Sequence, residues 1–162
     1  MRFKLLSVFA AVALLAACET ASDQSASSTG TGASTGASTS TTRARSPQEI
    51  LTSEVGDRVF YDFDKSDLKP EARRTVERWA GFLKQYPNLT VTIEGHADER
   101  GTREYNLALG ERRANAVKNA LVQQGIPASR VATISYGKER PAALGSNEAA
   151  WSQNRRGVMQ IN

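Results

Sequence analysis

The chain has 162 residues, 40% of them apolar and 7% aromatic, which suits one globular domain once the ends are set aside. A single cysteine, Cys18, excludes an intrachain disulfide and a Cys-based metal cluster, and a single histidine, His96, leaves few routes to general-base chemistry or a His-rich metal site. The formal net charge is +4, and it falls to +2 (19 Lys and Arg against 17 Asp and Glu) when Arg2 and Lys4 are set aside, too balanced to argue for a nucleic-acid partner.

Residues 1–17 read as a secretory leader. Arg2 and Lys4 supply its positive start, and Leu5 to Ala17 is uncharged and apolar apart from Ser7. The run is short for a membrane span, which needs about 20 residues. It ends Leu15-Ala16-Ala17-Cys18, the pattern of a bacterial lipobox. Lipidation would also account for a lone Cys in an exported chain. More than one acyl chain, palmitate among them, would anchor it stably. Residue 19 is Glu rather than Asp, which by resemblance to enterobacterial lipoproteins favours the outer membrane. Residues 18–46 then form the lipidated Cys and a tether. Thr20 to Thr42 is almost entirely Ser, Thr, Gly and Ala and cannot bury an apolar face. A coil of 28 residues averages roughly 26–32 Å end to end and could reach roughly 90–100 Å extended.

Residues 47–162 carry the folded domain. Val59 to Asp64 reads as a strand running into a loop. Lys65 to Pro70 is a helix entry, with Pro in the first turn. Ala72, Val76, Trp79, Leu83 and Tyr86 then mark one apolar helix face, stopped by Pro87-Asn88. Leu89, Val91 and Ile93 alternate with Thr90, Thr92 and Glu94 as a half-buried strand. A second helix is predicted from about Arg103 to Gln124, ended by Gly125. Val131 to Tyr136 is a third strand, Glu148 to Gln153 a short helix, and Arg156 to Ile161 a last strand. The order predicts an α+β fold, βαβαβ(α)β, with two main helices on one face of a four-stranded mixed sheet.

One stretch stands out: Gly95-His96-Ala97-Asp98-Glu99-Arg100-Gly101, then Asn106, Leu109, Gly110 and Arg112-Arg113. It joins a strand end to a helix start, a favoured place for a ligand group. On the helix, Asn106, Leu109 or Gly110, Arg113, Val117 and Leu121 share one stripe, while Arg112 is turned about 100° from it. An arginine on a buried stripe needs a partner, because unpaired burial is costly. Asp98 is the nearest candidate. The two form either a structural salt bridge or a matched pair held apart for a ligand carrying both signs. His96 with Asp98 lacks the further ligands a zinc site wants, and no Gly-x-Ser-x-Gly elbow is present. His96 reads as a strand-end residue bonded to its neighbours, Trp79 and Trp151 as core and surface cover, and Lys138 to Pro141 as a solvated turn.

Phe60 to Ser66, Glu94 to Gly101, Asn106 to Ala114, Ser135 to Pro141 and Asn154 to Arg156 together resemble the OmpA-like C-terminal domain family, in its lipid-anchored, peptidoglycan-associated branch. The match covers about residues 50–162. The resemblance implies a non-enzymatic domain that binds peptidoglycan non-covalently through meso-diaminopimelate of the stem peptide, with no cofactor. Asp98 would take the ammonium of that group and Arg113 its carboxylate, in a fork that a guanidinium can form. Asn106, Leu109 and Arg155 would line the pocket, with Phe63 and Asp64 as another wall. Where the widespread motif has Thr before the Asp, this chain has Ala97. The resemblance also implies the periplasmic protein TolB as a partner, within the Tol–Pal system that supports envelope integrity and constricts the outer membrane at division. An interaction module for TolB with a purely structural Asp98–Arg113 bridge is the alternative.

Overall fold

Buried and half-buried residues alternate along the first four positions of the strand Val91–His96, and apolar residues recurring every third or fourth position mark the helices packed on the sheet. The computed structural model describes residues 45–162. The expected leader, Cys18 and nearly all of the tether lie outside the described residues. Four strands, β1 (Arg58–Phe60), β2 (Val91–His96), β3 (Val131–Gly137) and β4 (Arg156–Ile161), form one sheet in the order β1-β4-β2-β3. β4 is antiparallel to both β1 and β2, whereas β2 and β3 are parallel. The last strand of the chain is thus inserted between the first two. The expected α+β fold with a four-stranded mixed sheet is the one observed.

Two long helices supply the core with the inward strand residues: α2 (Pro70–Gln85) and α3 (Arg103–Gln123). Val76, Trp79 and Leu83 of α2 and Val117 and Leu121 of α3 pack with Val59, Val91, Ile93, Val131 and Met159. The ends of α3 follow local chemistry. Thr102 caps its start by accepting from the Tyr105 amide at 3.2 Å. Past its end Gly125 takes φ of +88°, and the Ile126 amide returns to the Leu121 carbonyl at 3.1 Å.

α3 lies on β2 backbone to backbone. A Cβ on Gly95 would fall 1.8 Å from the Gly110 carbonyl oxygen, and one on Gly110 would meet Ser135 Oγ at 2.2 Å. Glycine at both places is what brings the buried stripe of α3 down onto the end of β2. Ser135 Oγ closes the same seam by donating to the Leu107 carbonyl at 2.7 Å.

The structure differs from the sequence reading at three places. β1 stops at Phe60, because Asp62 to Lys65 closes a turn (Lys65 amide to Asp62 carbonyl, 3.2 Å) with Asp64 at φ of +58°. β2 begins at Val91 rather than Leu89, whose amide turns back to the Tyr86 carbonyl. A segment at the start went unread. α1 (Pro47–Ile50) has a complete capping box from Ser46 and Glu49 and runs into a π-helical turn over Leu51–Val55. That segment buries Leu51 fully, and the Trp79 indole donates to the Gly56 carbonyl just beyond it at 2.5 Å. Among the described residues, no helix is long and apolar enough to cross a membrane.

Candidate functional site

The loop after β2 is folded by its own side chains. Asp98 follows two residues after the strand end, and its Oδ1 accepts from the Arg100 amide at 3.1 Å, a local turn that aspartate favours. Gly101 takes φ of +92° and Thr102 starts α3. Asn106, one turn into the helix, donates from Nδ2 to the carbonyls of Arg100 (2.8 Å) and Thr102 (3.1 Å). Its Oδ1 has no protein donor among the described residues. Lys138 Nζ reaches over from the end of β3 to the carbonyls of Gly101 (2.7 Å) and Glu99 (3.2 Å). The segment from Lys138 is therefore more than a solvated turn: it fastens the site loop.

Arg113 is fully buried on the predicted α3 stripe with Asn106, Leu109, Gly110, Val117 and Leu121. Its guanidinium gathers three backbone carbonyls, two in the loop after β1 and one at the end of β2. Nε donates to Lys65 (2.8 Å), Nη1 to His96 (2.7 Å) and Nη2 to Asp62 (3.1 Å). Tyr61 donates its hydroxyl to the Arg113 carbonyl at 2.9 Å, and the guanidinium carbon lies 5.0 Å from the Tyr61 ring centroid. Desolvation lowers the Arg113 pKa to about 10, with Arg155 adding to the fall and Tyr61, Asp98 and Asp64 opposing it. Arg113 stays cationic at neutral pH.

Asp98 and Arg113 line one cavity of about 160 Å³. Asn106, Leu109, Phe63 and Asp64, also expected from the sequence, complete most of its wall. That space is small beside the usual 300–1,000 Å³ of drug-sized ligand sites and suits one end of an amino acid. No ion pair joins Asp98 to Arg113 among the described residues, so the structural bridge between them is not formed. Asp98 is instead held by Arg100, through Nη2 to Oδ2 (2.6 Å) and Nε to Oδ1 (3.2 Å). Arg155 does not line the cavity. It lies behind Asp98, donating from Nη1 to Oδ2 at 3.4 Å and from Nε to the Tyr61 carbonyl at 3.0 Å, and it also binds Glu148. Burial alone would raise the Asp98 pKa, but the hydrogen bonds and charges of Arg100 and Arg155 overcome it and hold the carboxylate ionised.

Three further residues line the cavity, Arg100, Gly101 and Tyr105; the first two lie in the stretch that stands out in the sequence but are given no part in the pocket there. Tyr105 donates its hydroxyl to Asp64. The Arg100 guanidinium carbon lies 3.9 Å from the Phe63 ring centroid and 4.0 Å from that of Trp151. The only available signal was its place two residues after Asp98, within reach of the same carboxylate. His96 is at the end of β2 as expected, but the expected hydrogen bonds are missing. It is 1% exposed, neither ring nitrogen has a hydrogen-bond partner among the described residues, and Glu94 stands 3.4 Å from Nε2.

The chain is similar to known proteins. Residues 60–155 match the OmpA family model, and the chain belongs to the OmpA family. The chain is 56% identical over 111 residues to a peptidoglycan-associated lipoprotein of Agrobacterium fabrum, covering 68% of this chain and 63% of that protein. It is 55% identical over 97 residues to one of Pseudomonas aeruginosa, covering 60% and 57%. The crystal structure of the peptidoglycan-associated lipoprotein from Burkholderia pseudomallei superposes with a TM-score of 0.67 at 38% identity, over 72% of this chain and all of that one. The alignments thus span somewhat less than two thirds of the length of the first of these relatives.

Proposed function

We propose that the domain binds peptidoglycan non-covalently by gripping the free end of meso-diaminopimelate in the stem peptide. One observation carries the reading: two buried side chains of opposite sign face a single small cavity without pairing to each other. Asp98 takes the ammonium. Arg113 takes the carboxylate, and three of its five N–H groups are engaged by carbonyls. One N–H on each terminal nitrogen is left, the set needed for a two-pronged contact. Asn106 offers its open Oδ1, Leu109 and Phe63 give an apolar floor, and Asp64 flanks them. The relatives above are named for association with peptidoglycan, which supports the cell wall as the partner.

The rest of the reading extends this grip to the envelope. Acylated Cys18 would hold the chain in the outer membrane, and residues 18–46 would let the domain search the wall below. The domain acts here as a binding module and not as an enzyme. The family resemblance supports TolB as a second partner, within the Tol–Pal system that supports envelope integrity and draws the outer membrane inward at division. The alternative, a TolB module whose Asp98–Arg113 contact is purely structural, needs a bridge that the described residues do not hold. The test is sedimentation with purified sacculi. Wild-type protein should pellet, whereas Asp98→Ala and Arg113→Ala, checked by circular dichroism for a folded domain, should stay in the supernatant. Folded variants that pellet like wild type would overturn the proposal.

A further inference from the structure

In the free domain the carboxylate read above as the ammonium acceptor already holds a cation. Arg100 bonds both oxygens of Asp98, at 3.2 and 2.6 Å. Its side chain is 30% exposed against 4% for Asp98, so it covers the carboxylate from the solvent side. Arg155 approaches the same carboxylate at 3.4 Å from a buried position. The two arginines are therefore unequal. Arg155 is fixed by the Tyr61 carbonyl and Glu148, whereas among the described residues the Arg100 guanidinium is held by Asp98 and by two aromatic rings at about 4 Å. The loop backbone does not depend on that guanidinium. Asn106 and Lys138 hold the carbonyls of Arg100, Thr102, Glu99 and Gly101 independently of it.

We propose that Arg100 is a displaceable internal cation: its guanidinium fills the place on Asp98 that the ligand ammonium takes, and binding exchanges one for the other. This rests on the assignment of Asp98 as the ammonium acceptor. The exchange explains how a charged, buried Asp98 is kept satisfied when the site is empty, since an unpaired buried charge is costly. It also makes the site selective. A ligand bearing only a carboxylate brings nothing to replace the guanidinium, whereas one with an adjacent ammonium does. The contact to be broken is a two-pronged ion pair, but its guanidinium is partly exposed and can pass into water, and the ligand ammonium restores the charge that Asp98 loses, so the plug can leave.

Trp151 reports the exchange. It does not line the cavity, but its ring lies against Arg100 and its indole donates to Glu99 at 3.0 Å. The other tryptophan, Trp79, is sealed in the core. The experiment is calorimetric and fluorescence titration of wild type and Arg100→Gln with a tripeptide ending in meso-diaminopimelate. Wild type should bind with a change in tryptophan emission. Arg100→Gln should bind about tenfold tighter, since roughly 1.4 kcal/mol of competing contacts is gone, and its emission should already be shifted and change little on binding. If Arg100→Gln binds equally or more weakly, Arg100 is not a plug and the proposal is overturned. If neither protein binds, the assignment of Asp98 itself fails.

Discussion

Arg113 holds three backbone carbonyls, two in the loop after β1 and one at the end of β2, and has N–H groups to spare, which the proposed function gives to a ligand carboxylate. Lysine has a single point of charge and cannot span Asp62, Lys65 and His96 together. Arg113→Lys should therefore lose both functions: about 2–4 kcal/mol of stability by urea unfolding, from carbonyls left unpaired, and most of its sedimentation with sacculi. Unchanged stability would remove the structural half of this account. His96 gives a second test at this scale. Burial, then the positive charges of Arg156 and Arg140, lower its pKa from 6.5 to about 3. As pH falls below 6.5 the unfolded chain takes up the proton and the folded one does not, so stability falls toward pH 3. The slope should approach 1.4 kcal/mol per pH unit. His96 is the only histidine in the chain. Urea unfolding of wild type and His96→Gln compared between pH 6.5 and 5 should show that slope removed in the variant, since the carboxylates contribute alike to both.

Helix α3 reaches β2 only because two glycines meet. Gly95→Ala or Gly110→Ala would set a methyl group against backbone or a hydroxyl that is itself bonded, and α3 would have to lift. Each should cost about 1–3 kcal/mol or more, read by thermal or urea unfolding, and should loosen Arg113 from its carbonyls. Gly81 on α2 is the contrast. It is exposed with nothing near its missing Cβ, so Gly81→Ala should stabilise by about 0.5–1 kcal/mol. Much of this was legible beforehand. Alternation located β2, helical periodicity located α2 and α3, and the odd arginine on the α3 stripe pointed to the site. The unread parts are those where tertiary contacts decide. Leu51 gives no periodic pattern in so short a segment, yet the core closes on it. Tyr61 to Asp64 look like strand residues, but Tyr61 turns to the Arg113 carbonyl and Asp64 goes left-handed. Asp98 was read against Arg113, fifteen residues on, while its tightest partner was Arg100, two residues on. Linear spacing does not reveal which cation wins a shared carboxylate.

At the scale of the whole molecule, one small pocket need not bind tightly. On the proposed anchoring at Cys18, many copies facing a repeating polymer would gain by avidity without new contacts, and the 28-residue stretch between Cys18 and the domain would set how far each copy could reach. Shortening that stretch by half should reduce wall crosslinking of the anchored protein in cells while leaving the isolated domain's affinity for soluble fragments unchanged. The central claim is narrower: a doubly charged amino-acid end is recognised by two opposed side chains. It is tested most directly by calorimetric titration of the isolated domain with two stem tripeptides, one ending in meso-diaminopimelate and one in lysine, which keeps the ammonium and lacks the second carboxylate. The account predicts saturable binding of the first and at least a tenfold weaker response to the second. Equal affinity for the two, or saturable binding of neither, would contradict it.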